Sequence, residues 1–236
     1  MNTTVIILGL VLVILVYVLY KYFTVTATTL VPSASLDKSI DPMKSIVGPR
    51  NVNYAYGIWL YVNSWDPNAK KNIFHREQNI ELFLDPSSPT LKCNIYTSAT
   101  AKQTVTITDN FPLQKWTCIL ISMDGPFLDG YLDGKLVVSN KIGSPGPLQP
   151  PDQPSGNDTN GAIYLGNSGG AYTSTTPFDA YVTKFNRWTT SLDPQTVWNE
   201  YLTGNGKNSF LGMSSTYGVN MTFLQDNVKQ GTYALT

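Results

Sequence analysis

Side chains able to do chemistry are sparse along this chain. The one histidine, His75, stands in the run NIFHRE beside Arg76 and Glu77. No Ser or Cys nucleophile motif accompanies it, so a packed or surface role is expected there rather than catalysis. Carboxylates approach one another twice, as Glu77 with Glu81 across a turn and as Asp129 with Asp133 flanking a hairpin. Glycoside hydrolysis needs an acid and a second carboxylate about 5–10 Å apart. Alternate positions on one strand would give that spacing, and no run of the E-x-D-x-E kind exists here. Asp129 and Asp133 are therefore read as turn-forming, solvated carboxylates. Cys93 and Cys118 each fall in an expected strand and are read as buried free thiols, with a cross-sheet disulfide as the disfavoured alternative. Asp152, Asn157 and Asp158 make an acidic loop cluster without the fixed ligand spacing of a calcium site. The piece GNSGG at Gly166–Gly170 lacks the Lys-Ser/Thr and the following helix of a phosphate loop, and reads as a bend. Sugar binding calls for an exposed aromatic beside Asn or Asp, and Tyr172 near Asn167 is the pair that suits it. The inventory leads to no expected catalytic residue, cofactor or metal.

Composition narrows the classes further. Of 236 residues, 42% are hydrophobic, 12% aromatic and 14% charged, with 16 Lys and Arg matching 16 Asp and Glu. Charged residues usually make up about a quarter of a soluble domain, so this chain is poor in charge but not in core material. Neutral balance without a basic tract excludes a phosphate-binding surface for nucleic acid. One histidine and two cysteines exclude zinc clusters and disulfide scaffolds.

The first two dozen residues are apolar. Val5, Ile6, Ile7, Leu8, Leu10, Val11, Leu12, Val13, Ile14, Leu15, Val16, Tyr17, Val18, Leu19 and Tyr20 form an uncharged run with Gly9, and residues 3–23 extend it. At about 1.5 Å per residue the longer span reaches roughly 31 Å, the thickness of a bilayer core. Tyr17, Tyr20, Tyr22 and Phe23 gather beside Lys21 as an interfacial belt would. No Lys or Arg precedes the run, and it exceeds the ~7–15 residues of a secretory h-region, so a retained anchor is expected rather than a cleaved signal. Lys21, Lys38, Lys44 and Arg50 all follow it, which places the rest of the chain on the cytoplasmic side. The glycosylation patterns at Asn2, Asn157 and Asn220 are of the number expected by chance in a chain this rich in Asn and Thr.

The remaining elements read as an all-β domain. Residues 24–53 carry scattered Ser, Thr and Pro without periodicity and are expected to be a linker. Strands are expected at Tyr54–Val62, Asn72–Arg76, Ile80–Leu84, Leu91–Thr97, Val105–Thr108, Trp116–Met123, Phe127–Leu132, Lys135–Ser139, Ala162–Gly166 and Phe178–Trp188. Tyr54–Val62 is apolar on both faces, as a strand buried on both sides would be. Asp133-Gly134 predicts a tight type I′ hairpin. The Pro- and Gly-rich stretch 143–161 is an expected loop. Asp193-Pro194 opens a helix whose Val197, Trp198, Tyr201 and Leu202 share a face, and Gly204 ends it. The C-terminal extension, 204–236, has one expected strand, Tyr217–Leu224. The fold class is thus a two-sheet antiparallel sandwich over residues 54–203, behind one transmembrane helix over residues 1–23 and with one short late helix.

Three stretches carry a family resemblance. YGIWLYV (Tyr56–Val62) resembles the early Trp-bearing strand of the concanavalin A-like, laminin-G type jelly roll. QKWTCILISMDGPFLDGYLDGKLVV (Gln114–Val138) is similar to its middle signature, a Trp-opened strand running into a Y-x-D-G-K hairpin. Gly161–Tyr201, with its I-Y-L-G strand and L-D-P-Q helix start, resembles its closing section. An anchor ahead of such a domain also resembles membrane-associated minor structural proteins of large DNA viruses. These resemblances imply a non-enzymatic, membrane-anchored protein in the virion that tethers an internal membrane to the capsid shell. Its partners would be the lipid bilayer, through residues 3–23, and capsid or other membrane-proximal proteins. The alternative is a surface carbohydrate-binding, lectin-like adhesin. A glycan hydrolase ranks last because the paired carboxylates are missing.

Overall fold

β-Branched and aromatic residues recurring between Asp, Gly and Pro turns form two antiparallel sheets packed face to face. The computed structural model describes residues 8–17, 27–48, 51–69, 71–76, 79–97, 101–143, 161–169, 172–173, 178–206, 219–225 and 228–235. After helix α1 (8–17) come strands β1 (Thr28–Ser35), β2 (Tyr54–Val62), β3 (Lys71–Arg76), β4 (Ile80–Leu84), β5 (Leu91–Tyr96) and β6 (Lys102–Thr108). Strands β7 (Thr117–Asp124), β8 (Phe127–Leu132), β9 (Lys135–Lys141), β10 (Ile163–Leu165), β11 (Ser168–Gly169), β12 (Tyr172–Thr173) and β13 (Ala180–Trp188) follow. Helix α2 (Pro194–Leu202) precedes the terminal hairpin of β14 (Val219–Gln225) and β15 (Val228–Leu235). One sheet runs β1-β13-β2-β7-β8-β9 and the other β10-β3-β4-β5-β6.

The inner face of β2 (Tyr56, Ile58, Leu60) and of β7 (Ile119, Ile121) meets Phe74, Leu82, Cys93 and Val105 of the second sheet in one buried cluster. Each such side chain stabilises the fold by about 1.5–3 kcal/mol. On the opposite face of the first sheet, Ala55, Leu120, Tyr131 and Trp188 form a second cluster, closed by Leu192 and by Val197 of α2. Strand β2 is therefore apolar on both sides for two separate reasons, the inter-sheet core and the helix laid over the outside.

Local signals position these parts. Asp193 caps α2, its side chain accepting from the backbone N–H of Gln195 and Thr196, with Pro194 at the first position. Gly204 follows the C-cap at φ 67°, a left-handed conformation. The β8–β9 turn has φ 47° at Asp133 and 76° at Gly134, as the Asp-Gly pair predicts.

Four differences from the sequence reading have physical causes. The expected linker, 24–53, contains β1, which pairs with β13 at the edge of the six-stranded sheet. Its sequence, TTLVPSAS, is rich in hydroxyls and includes Pro32, tolerable only on an edge, so it shows no alternation. The stretch after it is also fastened: Leu36 and Ile46 are buried, Met43 bridges to Ile163, and Arg187 donates to the carbonyls of Val47 and Gly48. Secondly, the described part of the expected span, residues 8–17, is helical, and among the described residues no helix is long and apolar enough to cross a membrane; residues 3–7 and 18–23 lie outside the described ones. Thirdly, the C-terminal extension pairs two strands, β14 with β15, where one was expected. Finally, the edge strand β6 begins three residues ahead of the expected Val105, because Lys102, Gln103 and Thr104 pair with Tyr96, Ile95 and Asn94 despite their polarity.

Both cysteines are free and buried. Cys93 points into the inter-sheet core, whereas Cys118, opposite Trp59, lies on the outer face of the other sheet. Burial pushes the Cys118 thiol up to about 12, with the nearby Asp133 carboxylate adding to it, and also raises that of Cys93.

Candidate functional site

The outer face of the six-stranded sheet is covered along only part of its length. Tyr201 of α2 stacks on Trp59 with ring centroids 5.7 Å apart and planes 17° from parallel. The segment after the helix closes down where the Thr183 hydroxyl donates to the Asn205 carbonyl at 2.9 Å and Lys184 donates to that of Thr203 at 3.1 Å. Lys184, at φ 48°, is the extra residue of a bulge in β13, which keeps Thr183 and Tyr181 facing outward beyond it.

Past that cover the face opens into a groove of 530 Å³ lined by Ser33, Ala34, Ser35, Tyr61, Trp116, Tyr181, Val182 and Thr183. Register assembles it from four strand positions far apart in sequence. Ser35 sits opposite Tyr181, and Tyr181 opposite Tyr61, while Ser33 sits opposite Thr183 in the next outward row. The Trp116 ring completes the floor, 5.6 Å from that of Tyr61 and tilted by 44°. Tyr181 is 44% exposed, so its ring presents an open face.

A polar cluster lies close to the three aromatics. Asp179, Asn63 and Gln114 each stand two residues from one of the three aromatics, which holds their backbones within about 7 Å of it. The Asp179 Oδ2 accepts from Asn63 Nδ2 at 2.8 Å and from Ser64 Oγ at 2.6 Å. Gln114 Nε2 donates to the Asn63 carbonyl at 3.3 Å. Flat apolar rings beside hydroxyls and a carboxylate suit a ligand with one apolar face and a hydroxylated edge.

The outer face of the other sheet carries a different arrangement. Tyr164, His75, Glu81, Asn94 and Thr104 form one row across all five strands. Their side chains bond along it: Thr104 Oγ1 donates to Asn94 Oδ1 at 2.6 Å, and Asn94 Nδ2 to Glu81 Oε2 at 2.7 Å. His75 stacks on Tyr164 at 4.9 Å and its Nδ1 meets Asn72 Nδ2 at 2.8 Å. A small cleft of 220 Å³ beside this row includes Asn72, Glu81, Asn94 and Lys102. Glu81 is the one carboxylate of the row, and Glu77 lies outside the described residues.

Of the other residues singled out from sequence, Asn167 and Asp133 are spent on structure. Asn167 is buried, its Oδ1 accepting the Asn72 backbone N–H at 2.9 Å, so it seats β3 rather than reaching the groove. Tyr172 lies in β12, opposite Gly169, and its side chain is outside the described residues. Asp133 accepts the Cys118 backbone N–H at 2.9 Å and faces Lys115 at 3.2 Å, while Asp129 sits mid-strand opposite Ser122 and Ser139. Asp152, Asn157 and Asp158 lie outside the described residues. Among the described residues no three His, Cys, Asp or Glu converge as metal ligands would. The groove aromatics were hidden by their setting: Tyr61 belongs to a strand apolar on both faces, Tyr181 to one that mixes apolar residues with Thr, Lys, Asn and Arg, and Ser33 and Ser35 to a stretch read as linker.

The fold has solved counterparts. The binding domain of botulinum neurotoxin serotype D shares 11% identity, with a TM-score of 0.52 over 70% of this chain and 40% of that one. The binding domain of botulinum neurotoxin DC, solved in complex with SialylT, shares 12% identity, with a TM-score of 0.51 over 67% of this chain and 37% of that one. This chain thus spans about two-fifths of the length of those domains, and the likeness is one of fold. No curated protein matches it in sequence. The laminin-G type model of the concanavalin A-like lectin/glucanases superfamily matches residues 40–198, and the chain belongs to that superfamily.

Proposed function

We propose that this protein is a non-catalytic recognition module that binds carbohydrate in the groove of Tyr61, Trp116 and Tyr181. The observation that carries the reading is the pairing of three aromatic rings with the Ser33 and Ser35 hydroxyls and the Asp179–Asn63 cluster. A pyranose has an apolar face of C–H groups and an edge of hydroxyls, and it matches both halves of that surface. A superfamily that includes lectins supports sugar as the ligand. Among the described residues Glu81 is the one carboxylate of its row and is bonded to Asn94, whereas hydrolysis calls for two. The test is a glycan array probed with the full chain in detergent. Specific glycans should bind, and Trp116→Ala should abolish their signals. Binding that survives this change unaltered would refute the assignment.

The module is held to a membrane by residues 3–23 in this reading. Support comes from α1, where every apolar side chain from Leu10 to Tyr17 is more than half exposed and so finds no cover on the sandwich. Deleting residues 1–23 should release the chain from liposomes. Co-sedimentation of the truncated chain with protein-free liposomes would count against the anchor.

A second reading, the minor capsid protein that tethers an internal viral membrane to its shell, is favoured by one surface. Phe127, Leu136 and Val137 on the β8–β9 hairpin are each about half exposed, as a protein contact would require. The domain would then face the cytoplasmic side during assembly. Imaging of a native particle with this hairpin packed on shell protein would support it.

A further inference from the structure

We infer that the groove accepts neutral sugars and rejects sialylated and other anionic ones, with Asp179 as the discriminating residue. This rests on the carbohydrate reading above and adds the chemical class of ligand. None of the eight groove-lining residues is charged. Recognition of a sugar carboxylate normally draws on Arg or Lys, through a guanidinium fork or an ammonium point charge.

Among the described residues the cations nearby are engaged. Lys184 donates to Thr203, and Lys115 is paired with Asp133 at 3.2 Å. Arg187 is buried and faces the core side of β13, donating to Tyr56 and to the Val47 and Gly48 carbonyls. The turn after β1 presents Asp37 and Lys38 side by side, exposed and opposite in sign.

Among the described residues, the charge two positions before Tyr181, on the approach to β13, is the Asp179 carboxylate. Asp179 Oδ2 is occupied by Asn63 and Ser64, while Oδ1 takes no protein donor among the described residues. A carboxylate oxygen so placed accepts a sugar hydroxyl in a short charge-assisted bond. The same carboxylate repels an incoming carboxylate, and because its hydrogen bonds to Asn63 and Ser64 are solvent-exposed that repulsion is screened by salt. Attraction for the hydroxyl and repulsion of the acid thus come from one group.

The experiment uses the full chain in detergent and an array of paired glycans that differ only in a terminal sialic acid, read at low and at physiological salt. Neutral members should bind about tenfold or more tighter than their sialylated partners, with the gap shrinking as salt is raised. Asp179→Asn should close most of the gap, and Asp179→Glu, which keeps the charge, should preserve it. Sialylated glycans that bind equally or better, with binding lost in Tyr181→Ala, would overturn the inference and leave the carbohydrate reading standing. An unchanged ratio in Asp179→Asn would overturn the role of that residue. Absence of binding by any neutral or anionic glycan would refute the carbohydrate reading and this inference with it.

Discussion

Replacing Tyr181 with Val should separate ligand binding from folding. Valine keeps the strand preference of β13 but offers no flat ring. An aromatic side chain presents roughly 150–250 Å², so 44% exposure leaves about 90 Å² of Tyr181 open to a ligand. A sugar laid on one ring face would cover about half of that, some ~45 Å², worth about 1.1 kcal/mol at ~25 cal/mol per Å². Ring-specific attraction adds about 0.5–1 kcal/mol. The sum, about 2 kcal/mol, corresponds to roughly 30-fold in Kd. Titration calorimetry on the full chain in detergent, using a glycan selected on the array, reads this directly, and a thermal melt of the same sample controls for folding. As a contrast, Tyr131→Ala removes a ring that is 1% exposed beneath α2 and should lower the melting temperature sharply. A Tyr181→Val protein with an unaltered melt and a Kd within twofold of the parent would refute the reasoning about the groove.

Gly57→Ala should destabilise the chain by about 1–2 kcal/mol, because a Cβ there would lie 3.0 Å from the buried Trp188 ring, and denaturant titration measures it. The Asp85 carboxyl is pulled down to about 2 by hydrogen bonds from Lys92 and Ser87. Its folded value lies below the ordinary ~3.9, so its contribution is present above about pH 4 and lost as pH falls toward 2. Asp85→Asn should flatten that part of the acid unfolding curve, and an identical slope would contradict the assignment. Cys93 and Cys118, buried and raised in pKa, should resist iodoacetamide at pH 8 in the native chain and react once it unfolds, as mass spectrometry would register.

What could be read from sequence was whatever is encoded locally. The Asp133-Gly134 turn, the Asp193-Pro194 helix start and the two-sided apolarity of Tyr54–Val62 each depend on neighbouring residues, and each takes its expected form. Strand β1 was illegible because an edge strand with one partner needs little apolar alternation, and Pro32 conceals it further. The groove was illegible for a different reason. Its residues come from β1, β2, β13 and the residue just before β7, and cross-strand register with the Tyr61–Trp116 ring contact brings them together. Reading by proximity along the chain pointed instead to Asn167 and Tyr172, where the Asn167 amide is spent on the β3 backbone.

The placement of β1 bears on how tension would enter the domain. Only a few residues separate Phe23 from Thr28, so if residues 3–23 are held in lipid as proposed, a pull on them would fall on this outermost strand. Detachment would start at the Thr28–Arg187 pair and travel toward Ser35–Tyr181, with buried Leu36 and its 2.8 Å bond to the Ala180 carbonyl acting as a final stop. The wall of the groove formed by Ser33 and Ser35 is therefore the last part of β1 to yield. A tug on the tether would unzip the near end of the strand while a captured ligand stayed in place.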